Sequence, residues 1–444
     1  MLQNPIKLLL AGSLALVLAG CGDSSRLPEQ QTHGANPTLP EPTTSILPTV
    51  NIAKATGWSE GEKPKAAEGL SVAAFATGLE HPRWVYVLPN GDVLVAESNA
   101  PQRPEEGKGI KGHIYQWAQK RAGAGVPSAN RITLLRDADG DGKPETRTVF
   151  IKDLHSPVGM ALVGDTFYVA NADSIWKFHY DEGATSLSGG EKFVDLPGGP
   201  INHHWVKNIV ASPDGTKLYA SVGSNSNVGE NGLDKEEGRA AIHEIDLKTG
   251  QQRIFAGGLR NANGMAWQGD TLWAVVNERD ELGSDLVPDY LTSVKDGGFY
   301  GWPFSYYGQH VDTRVKEQRP DLVEKAIKPD YALGNHTASL GLTFSSGTLL
   351  PEQFRTGAFI GQHGSWNRKP HSGYKVIFVP FADGKPSGQP VDVLTGFLDD
   401  KDQARGRPVQ VAIDKAGALL VADDVGNTVW RVSPATHTAA SNGQ

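Results

Sequence analysis

Cysteine is all but missing: the 444 residues include one, Cys21. A single thiol excludes disulfides within the chain and any zinc site built from cysteine pairs. No excess of basic charge is present either. The net charge is -8, with lysines and arginines interleaved among acids, which argues against a nucleic-acid partner. No glycine-rich strand-to-helix fingerprint appears, so a nicotinamide-binding unit is not expected. Beyond residue 60 no segment keeps a sustained helical period, and no helix is expected there. What is abundant instead is glycine, 52 residues, with 10 tryptophans and only 3 methionines. That balance suits a turn-rich β protein.

The amino terminus sets the compartment. Lys7 precedes the run LLLAGSLALVLAG, which is too short for a comfortable membrane span and reads as a signal peptide over residues 1–20. The run closes on Leu18-Ala19-Gly20-Cys21, a sequence that resembles the bacterial lipobox. Cys21 would then carry the lipid, tethering a periplasm-facing lipoprotein to a membrane without spanning it. Residues 21–60 are rich in Pro, Ser, Thr and Gln with few bulky apolar side chains, and are expected to form a disordered linker. The folded domain is expected over 61–436, with a short tail at 437–444.

One unit repeats along that domain. VYVLPNGDVLVAES (85–98), GMALVGDTFYVANA (159–172), NIVASPDGTKLYASVGS (208–224), GMAWQGDTLWAVVNE (264–278) and VAIDKAGALLVADD (411–424) each join two apolar strands through a Gly, Asp or Asn turn. A looser copy occupies 340–362. Six hairpins, spaced widely enough for a four-stranded sheet each, predict an all-β, six-bladed β-propeller. Ring closure leaves few open strand edges, whereas a stack of six hairpins would expose many. Loops at one face of such a ring converge on its pore.

Polar residues beside the hairpins are the candidate site. His203 and His204 precede the third hairpin and serve either as a base or as a hydrogen-bonded structural pair. Arg260 and Asn261 hold the same place before the fourth, where arginine fits either a carboxylate or a turn. The loop NERDELGSDLVPD brings Glu278, Arg279, Asp280, Glu281, Asp285 and Asp289 together, an oxygen density that suits calcium or a solvated surface. Arg405 and Arg407 lie two apart before the last hairpin, and in an extended strand both would reach one anion. GQHGSWNRKP adds His363, Trp366, Asn367 and Arg368, with Trp366 either stacking on a flat ring or packing in the core. Asp137, Asp139 and Asp141 have the odd spacing of a calcium loop without its twelfth-position carboxylate.

Taken in order, these motifs resemble the glucose/sorbosone dehydrogenase family, closest to its L-sorbosone dehydrogenase-like branch, from about residue 68 to 433. HHWVKNIVASPDGTKLYASVGS, GLRNANGMAW, DGGFYGWPFSYYGQH, GQHGSWNR and ARGRPVQVAID carry the likeness. The resemblance implies a six-bladed propeller that binds pyrroloquinoline quinone (PQQ) over the pore with calcium beneath. It implies His204 as general base beside His203, with Arg260, Asn261, Arg368, Arg405 and Arg407 around the cofactor. It further implies calcium ligands from the main-chain carbonyls of Arg279 and Asp280, or alternatively from a side-chain oxygen of Asp280 or Glu281. A sugar or sugar aldehyde would be oxidised, with electrons leaving to an external acceptor. Two other readings of such a propeller are a calcium-dependent lactonase and a non-catalytic surface-binding module.

Overall fold

The computed structural model describes residues 23–43, 49–102 and 109–435. The signal segment, Cys21 and the tail at 437–444 lie outside the described residues. Six antiparallel sheets form around one axis, each with four strands of the ring, confirming the six-bladed propeller. Blade 1 comprises Pro82–Val87, Val93–Glu97, Arg131–Arg136 and Thr146–Ile151; blade 2 comprises Met160–Val163, Thr166–Ala170, Ser174–His179 and Glu191–Asp195. Blade 3 comprises Ile209–Ala211, Lys217–Val222, Ala241–Asp246 and Gln252–Gly257; blade 4 comprises Ala262–Gln268, Thr271–Val276, Pro288–Ser293 and Tyr331–Asn335. Blade 5 is Ser339–Phe344, Gly357–Gln362, Lys375–Ala382 and Val391–Thr395. Blade 6 takes Pro408–Ile413, Leu419–Asp423 and Thr428–Pro434 from the carboxyl end, and its outer strand, Leu70–Ala76, from the amino end. The ring therefore closes by pairing the two ends of the domain.

Burial follows the blades. The second strand of each is buried along most of its length, as in Val93–Glu97, while the outer strand Gln252–Gly257 is largely exposed. Six apolar clusters lie between neighbouring blades. Leu94 and Phe167 join blades 1 and 2, Ile209 and Tyr168 join 3 and 2, and Ile242 and Met265 join 3 and 4. Leu291 and Ile377 join 4 and 5, Phe378 and Val421 join 5 and 6, and Leu420 and Val95 join 6 and 1. Each blade is thus half of two cores, which is why no single repeat is stable alone. Near the axis the inner strands almost touch. A Cβ on Gly264 would meet the Leu342 backbone nitrogen of the next blade at 2.6 Å, which accounts for glycine at the head of that repeat.

Two expectations are corrected. A helix, Gly109–Ala122, is inserted between the second and third strands of blade 1. Its large apolar positions at helical spacing are only Ile110, Ile114 and Trp117 among polar residues, too few to stand out as a sustained period, and it closes on Gly123 at φ +82° after Lys120 and Arg121 in the last turn. The disordered linker is also not what the described part of residues 21–60 forms. Residues 23–43 and 49–60 make an ordered strap. His33–Gly34 adds a strand to the outer edge of blade 4, and Trp58 donates to Asp423 at 2.7 Å while its ring packs on Phe397 and Trp430. The strap is held mainly by hydrogen bonds to loops, so its composition gives no sign of docking. No helix among the described residues is long and apolar enough to cross a membrane.

Candidate active site at the pore mouth

Strand direction alternates within each blade, so the segments preceding the first strands and those joining second to third strands open on one face. From these segments His81, Arg83, His203, His204, Trp205, His363, Arg407 and Asp424 line one cavity of about 220 Å³, with Gln119, Ala122 and Ala124 from the inserted helix and the turn after it at its edge. Of the residues expected from the sequence, His203, His204, His363 and Arg407 meet here.

His204 is held from behind. Its Nδ1 lies 2.8 Å from the Ser224 carbonyl and 3.0 Å from Ser224 Oγ, and that hydroxyl donates to the Ser226 carbonyl. Nδ1 must therefore be the protonated nitrogen, leaving the lone pair of the neutral ring on Nε2. Beneath it Lys207 is fully buried, its Nζ donating to the carbonyls of His204 and Trp205 and to Asn202 Oδ1, all at 3.2 Å. Burial draws the Lys207 ammonium well below its ordinary pKa. Asn261 is packed close to His204, since a Cβ on the intervening Gly223 would meet both side chains, and its buried Oδ1 has no hydrogen-bond partner.

Across the cavity His363 joins three residues that the motifs did not single out, His81, Arg83 and Asp424. The Asp424 carboxylate bonds Arg83 and His363 Nε2, the latter at 2.9 Å, with His81 Nε2 at 3.5 Å. Burial opposes its charge, but His363, His81 and Arg83 together hold its carboxyl well below the usual range. Burial pushes the His363 imidazole down to about 4. His81 and Arg83 precede or begin the first strand, and Asp424 ends a repeat, so their positions matched the rule used for the other candidates. Only the absence of a distinctive motif around them hid them.

Arg407 reaches the cavity because of its own loop. Its backbone N–H donates to Asp423 at 2.7 Å, and a Cβ on Gly406 would collide with that carboxylate, so glycine is required there. The guanidinium lies 5.0 Å from the Tyr374 ring centre and donates to the Tyr374 hydroxyl at 2.9 Å. Its Nε is buried without a partner, as is that of Arg83.

Arg405 does not line this cavity. Residues 404–407 precede the strand rather than belonging to it, so the two-residue period does not apply, and Arg405 pairs with Glu62 at 3.5 Å. Arg260 is likewise committed elsewhere. It is 2% exposed and donates to the carbonyls of Asn227, Asn277 and Glu278, with Asp280 at 3.5 Å, so it staples two loops. Arg368 donates to the carbonyls of Ser284 and Pro370 and to Ser25 Oγ, and so fastens the strap. Trp366 is 43% exposed, neither core nor lining of the cavity.

The expected calcium loop is also occupied by protein. Arg279 is buried between Glu278 and Asp312 at 3.0 and 3.1 Å. The Asp280 carbonyl accepts from Asn227 and Arg314, and its carboxylate accepts from Asn367 at 2.8 Å with His336 and Arg260 nearby. Despite burial, His336 and Arg260 hold Asp280 below its ordinary pKa. Glu281 is exposed. Asp137, Asp139, Asp141 and Glu145 present oxygens within 4.8 Å of one another in a turn of blade 1 on the opposite face. Each also accepts a backbone N–H of the same turn, and those bonds account for its shape.

A model of the TrAA12-like family matches residues 64–290 and 308–435. The chain belongs to that family. This TrAA12-like chain is 24% identical over 359 residues to the pyrroloquinoline quinone-dependent pyranose dehydrogenase of Coprinopsis cinerea, covering 71% of the present chain and 44% of that protein. It thus spans less than half the length of that relative. The holo form of the PQQ domain of the Coprinopsis cinerea pyranose dehydrogenase superposes with a TM-score of 0.66 at 20% identity, over 86% of this chain and all of that one. A calcium structure of the Trichoderma reesei carbohydrate-active family AA12 protein gives 0.66 at 17% identity, over 87% and 99%. These superpositions show a shared fold, and the kinship expected from the order of motifs is met at the level of the family.

Proposed function

We propose that this TrAA12-like chain is a PQQ-dependent dehydrogenase that oxidises a sugar or sugar aldehyde at the pore mouth. One observation carries the reading: two guanidiniums, Arg83 and Arg407, each with an unpartnered buried Nε, converge with four imidazoles on a single cavity. Buried donors left unpaired are costly unless a ligand satisfies them. A flat tricarboxylate fits that donor set, and Arg83, Arg407, His203 and His204 are the residues that would hold it; Asn261 does not line the cavity. When bound, PQQ supplies an electrophilic quinone carbon that takes a hydride with its two electrons.

The residues of the chain then do the rest. His204 Nε2 takes the hydroxyl proton of the substrate as hydride leaves the same carbon, which turns an alcohol into a carbonyl, or a hydrated aldehyde into an acid. The Ser224 carbonyl holds the Nδ1–H through that step and stabilises the imidazolium. Lys207 fixes the backbone on which His204 rides. Sorbosone-like substrates are included in the proposal, as is an external electron acceptor.

Calcium is a different matter. Asp280 does not fit a divalent cation as it stands, because two donors occupy its carbonyl and its carboxylate faces Arg260 and His336. No step is assigned to a metal there. Export as a periplasm-facing lipoprotein acylated at Cys21 completes the proposal, supported by the amino-terminal sequence.

The test is reconstitution of the purified protein with PQQ, with and without calcium, against a panel of aldoses and keto-aldehydes. Reduction of an artificial dye that depends on PQQ and sugar is the expected result. Lactone opening without dye reduction would favour the hydrolase reading, and neither activity would favour a binding module.

A further inference from the structure

We propose that the face carrying the pore mouth rests against a lipid membrane surface, seated by Val50, Trp117 and Trp366 beside the anchor. The inference depends on acylation of Cys21, and its first observation is where the strap begins. Asp23, two residues after Cys21, is fixed on this face: its carboxylate accepts the Ser284 N–H at 2.7 Å and its carbonyl accepts Ser284 Oγ at 2.9 Å. Two residues of extended chain reach about 7 Å at most, so a lipid on Cys21 must emerge beside the loops that surround the pore.

Large apolar side chains are exposed next to that point. Thr49 Oγ1 donates to the Asp23 carbonyl, Val50 follows at 52% exposure, and Asn51 donates to the carbonyl of Trp366, itself 43% exposed. The same stretch reaches the inserted helix, because Arg121 donates to the Ile52 carbonyl and lies 5.8 Å from the ring centre of Trp117, which is 60% exposed. The strap therefore links two exposed tryptophans across one face. Tryptophan with one end apolar and one wet settles at the boundary between headgroups and acyl chains.

Charge agrees. Lys54, Lys120, Arg121 and Lys369 are exposed along this stretch. Two of its acids are hydrogen-bonded, Asp23 to Ser284, and Asp285 to Ser25 and the backbone N–H groups of Arg26 and Leu27, while Glu281 in the same loop is exposed. Such a surface is attracted to anionic lipid. An adjoining cleft of about 600 Å³, lined by Gln116, Val126, Pro127, Ser128, Asn130 and His155, shares Asn99 and Gln119 with the pore cavity and offers soluble substrate a way in.

The experiment uses the full acylated protein on vesicles of phosphatidylethanolamine and phosphatidylglycerol whose acyl chains carry bromine, a short-range quencher of tryptophan. Mass spectrometry first reports the state of Cys21, and an unacylated cysteine overturns the proposal. Quenching is expected in the parent protein and is expected to fall about twofold or more in Trp117→Ser/Trp366→Ser, which still sediments with the vesicles. Hydrogen exchange on the parent alone gives a second reading: amides at 49–52 and 116–126 should gain protection, and those around Val149 and Ile254 on outer strands should not. Absent quenching in the parent, equal quenching in the variant, or protection spread evenly over the molecule would each overturn it. Dye reduction measured on the same samples fails or succeeds separately, so loss of the dehydrogenase reading would be recognised as such.

Discussion

Arg407 and Arg260 both stand just ahead of an inner strand, both are buried, and both come from short motifs rich in arginine and glycine. Arg407 touches one hydroxyl and one aromatic ring and keeps an unpartnered Nε in the cavity, whereas Arg260 spends its donors on three backbone carbonyls and Asn227 Oδ1. The same contrast holds between their surroundings. On the His81, Arg83, His363 and Asp424 side of the mouth a guanidinium Nε is left over, while the Arg279, Asp280 and His336 side chains are bonded to their own neighbours and unpartnered atoms there, such as Asn367 Oδ1 and Ser305 Oγ, are uncharged. Residue type and position in a repeat are equal in the two regions; what separates them is whether buried hydrogen bonds are already made.

The comparison can be broken most severely at His204. His204→Ala is expected to lower dye reduction about 10³-fold while PQQ affinity is largely kept, and undiminished turnover would remove the base from the mechanism. Next is acid stability. Buried neutral His363 has a native pKa of about 4 against an ordinary 6.5, so the unfolded chain binds more protons between those values. Stability is then full above about pH 6.5 and is lost as pH falls toward 4, by about 3 kcal/mol for this group. Asp424, held low, loses its contribution in the same direction at lower pH. Thermal melts from pH 7 to 4 should show a steeper decline in the parent than in His363→Gln, and parallel curves would contradict the assigned burial effect.

A smaller effect sharpens the contrast between the arginines. Arg407→Gln should weaken PQQ binding by about 2 kcal/mol, roughly 30-fold, with a modest change in Tm. Arg260→Gln should do the reverse, lowering Tm through the loops it staples. Isothermal titration and melting of both variants decide the matter, and equal loss of affinity would erase the distinction. The least effect is expected at Ser25→Ala, about 1 kcal/mol of stability with no change in affinity, because that hydroxyl only fastens the strap to Asp285 and Arg368.

Much of the architecture could be read from the chain, because each blade repeats a hairpin whose turn residues and apolar alternation are local. Gly264 shows how far this goes, since the glycine opening its repeat marks where two inner strands meet. The site was legible in part. His204 was marked because the paired histidines ahead of the SPDG hairpin form a distinctive motif, whereas His81 and Asp424 occupy equivalent places and went unmarked for want of one. Arg405 and Arg407 were expected to act together on a strand that begins one residue after Arg407.

By itself the sequence determined six two-strand units, hence a closed ring with loops gathered at one face, because strand alternation and turn chemistry depend on neighbours within a few residues. Only the tertiary structure decided which arginine is spent and which is left over, that a proline-rich strap docks instead of wandering, and that a polar helix borders the mouth. Those outcomes depend on partners tens to hundreds of positions away, as Arg83 with Asp424 and Ser25 with Asp285 show, and no local pattern encodes which distant group will already be satisfied.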